Sequence, residues 1–281
     1  MNNPSTVRGN KSPVQWQAHQ NSNAEVPENT MSALEYVWSL GGIPELDIRQ
    51  TADGVIIGIH DATPARTASV PEGMENKPVA EVTYAEMKDW DTGIRFGEAF
   101  KGEKVPALSD ILEVLAAHPE RELYLDFKQV DLEKLAELVA RYGVGSQIIF
   151  AHNDPANCRT VKRLAPEIRT MQWVSGGGTP EGISKVVKEA AESGYEGLDI
   201  IQIHLKDAAS ESADGWRYAV QPDFLRATLE ETAAAGIELE VLPFRFTTES
   251  MHALLDMGIR RFAIDEPKVF VETLLSYPGF A

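Results

Sequence analysis

Short β-rich runs alternate with amphipathic helical stretches along almost the whole chain. The runs are VQWQA (14–18), IPELDI (43–48), ELYLDF (122–127), SQIIFA (146–151), IRTMQWV (168–174), GLDIIQI (197–203), IELEVLP (237–243) and RFAI (261–264). A ninth apolar stretch, VIIGI (55–59), reads as an extension or hairpin partner of the second run. Between them, apolar residues recur at helical spacing over 29–40, 108–117, 132–142, 155–165, 181–193, 222–235 and 249–257. Pro222 and Asp223 open one of these helices, and Gly236 and Gly258 close two. Strand–helix alternation repeated this often predicts a parallel sheet. Eight units favour an α/β fold of one (β/α)8 TIM barrel, with an open doubly wound sheet as the alternative.

Two segments break the rhythm. Residues 1–13 are polar, contain Pro4 and Pro13, and read as a mobile N-terminal arm ahead of a barrel domain over 14–281. Residues 61–107 mix Pro, Gly and charge, and read as a small insertion after the second strand. The length, 281 residues, suits one barrel of roughly 250 residues with such an addition.

Charge narrows the partners. Forty-three acidic residues against 26 basic ones leave a net charge of −17, which opposes binding to nucleic acid or to an anionic membrane surface. A small anionic substrate remains compatible, because a bound cation inverts the local field. Cys158 is the only cysteine, so no internal disulfide or thiolate cage can form. No apolar run reaches the length of a signal peptide or a membrane span, and the expected location is the cytoplasm, with no stable membrane association.

In a parallel barrel the chemistry lies at the C-terminal ends of the strands. Four consecutive segments place polar groups there: His19, the pair Glu45 and Asp47, His60, and Asp126 with Lys128. Glu45 and Asp47 are two residues apart on a strand and share one face. Two carboxylates side by side in a buried site repel, and a hard cation such as Mg2+ or Ca2+ removes that repulsion; Asp126 offers a third oxygen. Two imidazoles beside a metal-bound phosphate can act as a general acid and a general base. Lys128 can hold a phosphoryl oxygen. Gly176, Gly177 and Gly178 read as a flexible loop rather than a phosphate cradle. His118, His152, His204 and His252 default to structural roles, although His152 and His204 follow strands and are candidates to line the pocket. Trp173, Phe244 and Phe246 fit a pocket wall or the core equally well.

The ordered set of motifs resembles the glycerophosphodiester phosphodiesterase family. AHQNSNAEVPENT (18–30) is similar to that family's opening segment; ELD (45–47), DGVIIGIHD (53–61) and ART (65–67) follow in order. WDTGIRFGEAFKGEKVPAL (90–108) resembles the end of the family's insertion, LDFK (125–128) stands where LEIK is usual, and LLDMGIRRFAIDEP (254–267) resembles the closing segment. The resemblance implies a TIM barrel with one divalent cation, Mg2+ or Ca2+, held by Glu45, Asp47 and Asp126. It implies acid/base roles for His19 and His60 and a phosphate contact from Lys128. It also implies hydrolysis of a small phosphodiester through attack by a neighbouring substrate hydroxyl, a cyclic phosphate, and water. Three departures bear on the substrate. Gln20 replaces the usual Arg, Asp126 replaces Glu, and Phe244 replaces a Trp, with Arg245 beside it as a substitute charge. Gln20, Lys128, Trp173, Phe244 and Arg245 are the expected substrate contacts, and the departures admit a sugar phosphodiester of the kind cut by the agrocinopine phosphodiesterases that resemble this family. The alternatives are a sphingomyelinase D-like phosphotransferase that releases the cyclic phosphate, and a non-catalytic sugar-phosphate binding protein.

Overall fold

A computed structural model describes residues 13–22, 25–209 and 216–278. The predicted arm therefore lies, apart from Pro13, outside the described residues. Among the described residues nine strands form one sheet: β1 (Gln15–Ala18), β2 (Ile43–Gln50), β3 (Ile56–Gly58), β4 (Leu123–Gln129), β5 (Ile148–His152), β6 (Arg169–Val174), β7 (Ile200–Leu205), β8 (Glu238–Pro243) and β9 (Arg261–Ile264). Eight of them are parallel neighbours in the order β1, β2, β4, β5, β6, β7, β8, β9, and β9 pairs back onto β1, which closes the barrel. β3 is the exception, pairing antiparallel with the far end of β2 (Ile48 opposite Gly58).

The helices are α1 (Met31–Ser39), α2 (Tyr84–Met87), α3 (Leu108–Ala117), α4 (Leu132–Tyr142), α5 (Pro155–Leu164), α6 (Pro180–Glu192), α7 (Pro222–Ala234), α8 (Thr248–Asp256) and α9 (Pro267–Ser276). Their starts are written locally. Thr30, Asp131, Asp154 and Thr179 each accept a backbone N–H of the first turn, and Gly143 ends α4 in the left-handed conformation. α9 has no counterpart in the sequence reading. Phe270, Val271 and Leu274 pack on the core at helical spacing, while Val269 and Leu275 are exposed and blur the stripe.

Alternate strand residues face opposite ways. Leu46, Ile48, Leu123, Leu125, Ile148, Phe150, Ile201, Ile203 and Phe262 pack outward into one large core shared with the helices. Ile43, Tyr124, Ile149, Met171 and Ile200 pack together as a second, separate cluster inside the barrel. Gly42, between α1 and β2, shows how closely the layers meet: a β-carbon there would sit 2.4 Å from the Trp16 indole. The segment after β3 carries its own small core of Ile57, Ile59, Val79, Val82, Met87, Trp90 and Val105, which is why a stretch without regular periodicity still has defined structure. Among the described residues no helix is long and apolar enough to cross a membrane.

The barrel interior is also unusually polar beneath its mouth. Arg261 Nη2 donates to Tyr124 Oη (2.7 Å), and Tyr124 Oη donates to Glu240 Oε2 (2.7 Å). The other oxygen of Glu240 accepts from Gln17 Nε2 (2.5 Å) and Gln202 Nε2 (2.6 Å). Each of these side chains is buried. Such a group is tolerated inside a protein only when its donors and acceptors are matched, as they are here.

Candidate active site

β2 and β4 run in register, so Asp47 lies beside Asp126, and Glu45 two residues earlier shares their face. One carboxylate oxygen from each of the three lies within 4.8 Å of the others. Asp126 Oδ1 is buried without a hydrogen-bond partner; Asp47 Oδ1 also lacks an aligned donor, although the Lys128 ammonium stands 3.0 Å away. Lys128 Nζ also lies 2.8 Å from Asp126 Oδ2. Two further oxygens accept hydrogen bonds. Asn29 Nδ2 donates to Asp47 Oδ2 (2.8 Å), and the Gln20 backbone N–H donates to Glu45 Oε2 (2.5 Å). The donor set is all oxygen, and its spacing matches ligands arranged around one hard ion at 2.0–2.6 Å. Burial, and after it the charge of Asp47, pushes the Glu45 carboxyl up. Burial likewise pushes Asp126 up, partly offset by Lys128.

Closure of the barrel sets the first histidine. β1 pairs with β9 through Ala18 and Ile264, so the next residues, His19 and Asp265, meet at the rim. His19 Nδ1 lies 2.7 Å from Asp265 Oδ1. Burial alone would lower the His19 pKa. The hydrogen bond to Asp265 and the charges of Glu45, Asp265 and Asp47 outweigh it and raise it to about 9. His60 repeats the motif with another carboxylate: its Nδ1 lies 2.7 Å from Asp61 Oδ1. Asp61 is gripped in turn by Arg66, which lowers it to about 2, and Arg66 forks onto Glu28 at 2.8 Å through both Nη atoms. Arg49 Nε donates to the His60 carbonyl (2.8 Å) and ties this loop to β2.

A cavity of about 150 Å³ opens at this end of the barrel, lined by Gln17, His19, Glu45, Asp126, Lys128, Trp173, Gln202 and His204, among others. Trp173 stacks on His204, with centroids 5.4 Å apart and rings 11° from parallel. Phe244 meets both His204 (5.4 Å) and His19 (6.0 Å) edge to face. His60, Phe244 and Arg245 are not among the cavity-lining residues; Arg245 is exposed, and its carbonyl accepts from Tyr218 Oη (3.2 Å). Gln20 is half-buried with its backbone in the left-handed region (φ 45°). The glycine triplet is a tight turn after β6. Gly176 packs against the start of α6, where a β-carbon would lie 2.1 Å from the Ile183 nitrogen. His152 Nδ1 accepts from Asp154 N and Asn157 Nδ2, which tie it to the start of α5. His118 pairs with Glu120, and His252 lies against the end of α9.

Three positioning residues went unassigned in the sequence reading: Asn29, Asp61 and Asp265. Asn29 and Asp265 lay inside the quoted motifs, but neither has a partner nearby in the chain. Only the contact with Asp47 gives Asn29 a role, and only barrel closure gives Asp265 one.

Glu45, Asp126 and His19 all hold a proton more tightly folded than unfolded, so without a bound cation their contribution to stability is present at low pH and lost as pH rises. For His19 the loss runs from its ordinary value of 6.5 to about 9. In EDTA the thermal midpoint should therefore fall over that window, and His19→Asn should flatten this part of the curve; an unchanged slope in the folded variant contradicts the assignment.

A closed (β/α)8 barrel with three converging carboxylates and a carboxylate-held histidine at its mouth defines a class of barrel proteins built for polar chemistry at the strand ends. The profile of the glycerophosphoryl diester phosphodiesterase family matches residues 19–269, and the chain belongs to that family. A glycerophosphodiester phosphodiesterase of Bacillus subtilis is 25% identical over 284 residues, covering 92% of this chain and 86% of the relative. One from Caldanaerobacter subterraneus subsp. tengcongensis is 33% identical over 160 residues, which is 54% of this chain and 63%, less than two thirds, of that relative. Among solved structures, a glycerophosphodiester phosphodiesterase from Agrobacterium tumefaciens superposes with a TM-score of 0.70 at 25% identity, covering 92% of this chain and 99% of that one. An Oleispira antarctica phosphodiesterase, solved with the product sn-glycerol-3-phosphate, shares the fold with a TM-score of 0.66 at 21% identity, over 93% and 97% of the two chains.

Proposed function

We propose that this protein hydrolyses a small glycerophosphodiester or sugar phosphodiester to an alcohol and a phosphomonoester, with one divalent cation, Mg2+ or Ca2+, held by Glu45, Asp47 and Asp126. The observation that carries this reading is the convergence of Glu45, Asp47 and Asp126, one oxygen from each within 4.8 Å of the others, in a site where Asp47 Oδ1 and Asp126 Oδ1 lack an aligned hydrogen-bond donor, beside a histidine held by Asp265. When bound, the cation supplies Lewis-acid charge that offsets the phosphate's own and the charge that develops on it.

The chain's own groups do the rest. With Nδ1 of His19 on Asp265 and Nδ1 of His60 on Asp61, each ring is left with Nε2 for the substrate. One histidine takes the proton of the attacking hydroxyl while the other protonates the departing alkoxide. If a neighbouring substrate hydroxyl attacks, its oxygen–phosphorus bond forms as the bond to the alcohol breaks, giving a cyclic phosphate that water then opens. Lys128, which lines the cavity beside Asp47 and Asp126, would hold a phosphoryl oxygen. Trp173 lines the cavity, and Gln20, Phe244 and Arg245 follow the ends of β1 and β8; these four are the candidate contacts to the alcohol groups.

The family relationship and the product bound to the Oleispira protein favour a glycerol-containing substrate. A set of phosphodiesters bearing glycerol, choline, inositol and sugar groups, assayed with purified protein, tests this. Turnover of at least one should disappear in EDTA and return with Mg2+ or Ca2+. Turnover that is indifferent to EDTA refutes the role of the cation.

A further inference from the structure

His204 sits opposite the carboxylates on the far wall of the cavity, on β7, and its two ring nitrogens are not equivalent. The buried network below it dictates which one carries the proton. Glu240 Oε1 accepts from the amides of both Gln17 and Gln202, and its Oε2 accepts from Tyr124, which itself accepts from Arg261. A carboxylate surrounded by donors has no proton to offer, so the Gln202 side chain is orientated with its amide nitrogen toward Glu240. Its Oε1 is thereby turned to His204 Nε2, 3.0 Å away. An amide oxygen only accepts, so His204 carries its hydrogen on Nε2 and leaves Nδ1 bare. No hydrogen bond of Nδ1 to a described residue is present, and the ring lines the cavity. Burial, reinforced by the positive charges of His19 and Lys206, holds the imidazole down to about 3, so the ring is neutral across the physiological range.

The geometry points to His204 as a specificity-determining residue: its bare Nδ1 accepts a hydroxyl of the polyol portion of the substrate, while its ring and the Trp173 indole stacked on it give that polyol a flat wall. This deepens the phosphodiesterase reading above and rests on it for the reaction, but not for the hydroxyl site itself. The chemistry is selective in a simple way. A neutral acceptor in a small cavity favours a ligand that brings a hydroxyl donor, and a ligand lacking that hydroxyl leaves the nitrogen desolvated and unpaired. A cationic substituent such as a quaternary ammonium gains no hydrogen bond from this nitrogen.

Two measurements test it. The first uses a matched pair of chromogenic diesters: the 2,3-dihydroxypropyl and the 2-hydroxyethyl ester of p-nitrophenyl phosphate. Both keep a hydroxyl next to the phosphate, and only the first has a further hydroxyl. The wild type should favour the dihydroxypropyl ester by about tenfold or more in kcat/KM. In His204→Phe, which keeps a ring against Trp173 but no acceptor, the ratio should fall toward one. His204→Asn, which places an amide oxygen near the Nδ1 position, should recover most of it. General damage to the fold lowers both rates and does not move the ratio. A folded His204→Phe variant that keeps the wild-type ratio overturns the proposal.

The second needs no turnover and uses only the wild type. The ring 15N resonances of His204 should report the Nε2–H tautomer near neutral pH, and the Nδ1 signal should shift upfield when sn-glycerol-3-phosphate is added with Mg2+. An Nδ1–H tautomer, or an Nδ1 signal indifferent to saturating ligand, overturns the proposal. A shift of Nδ1 in a protein that hydrolyses no phosphodiester would instead refute the reaction and leave the hydroxyl site standing.

Discussion

Asp47→Asn should lower kcat/KM on a glycerophosphodiester by about a thousandfold, the scale reached when a preorganised charge is removed from a reaction centre. It should also abolish any rise in thermal midpoint on adding Mg2+ or Ca2+. Asp47 is the hub of the carboxylate group. It lies in register with Asp126, faces Lys128 at 3.0 Å, and is held by Asn29 through both its side chain (2.8 Å) and its backbone N–H (2.8 Å). The substitution preserves volume and the contact to Asn29, so the fold should survive. It removes one negative charge from a site where three carboxylates crowd together. The metal-free variant should therefore be as stable as the parent or more so, because relief of repulsion offsets the lost pairing with Lys128. Thermal denaturation with and without cation, alongside steady-state kinetics, checks all three outcomes. Wild-type activity combined with an intact response to cation would remove Asp47 from the ligand set.

The second large effect concerns His19. His19→Ala should reduce kcat by about 10²–10⁴-fold, the contribution typical of a positioned acid or base. Asp265→Asn should cost about 10–100-fold while leaving KM close to that of the parent, because Asp265 orients the ring and does not meet the substrate. The pH profile separates the two roles. With Asp265 neutralised, the factors raising His19 to about 9 weaken, and the limb of the rate profile that follows His19 should move to lower pH. Rate against pH for Asp265→Asn is the measurement, and an unmoved profile would show that Asp265 is merely structural. Adding His60→Ala to His19→Ala should reduce the rate to background; full activity in that double variant would refute acid/base catalysis by this pair.

These predictions rest on residues of very different legibility. Glu45 and Asp47 were readable because strand parity is local: two residues apart on β2 means one face, whatever the rest of the chain does. His19, Asp126 and Lys128 were readable because a parallel barrel gathers its strand ends at one rim. Asp265 was not, because its meaning depends on β9 closing against β1 across almost the entire chain. His204, after a strand, read as structural by default and as a candidate for the pocket wall, but a lone histidine carries no sign of what will lie beneath it. Its role depends on Glu240, Gln202, Tyr124 and Arg261, which come from four different strands and become a network only inside the closed barrel. α9 has a core-facing set at helical spacing, Phe270, Val271 and Leu274, but the exposed Val269 and Leu275 beside it blur that signal.

The sequence by itself determined the eight-fold alternation, the residue types at the strand ends and, through its ordered motifs, the family. All of these depend on neighbours within a few residues or on linear order. The tertiary structure alone decided which carboxylate holds which histidine, how close three acids approach, and which nitrogen of His204 is left bare. Those properties depend on contacts between distant segments, where strand register and closure set the distances and the direction of each hydrogen bond.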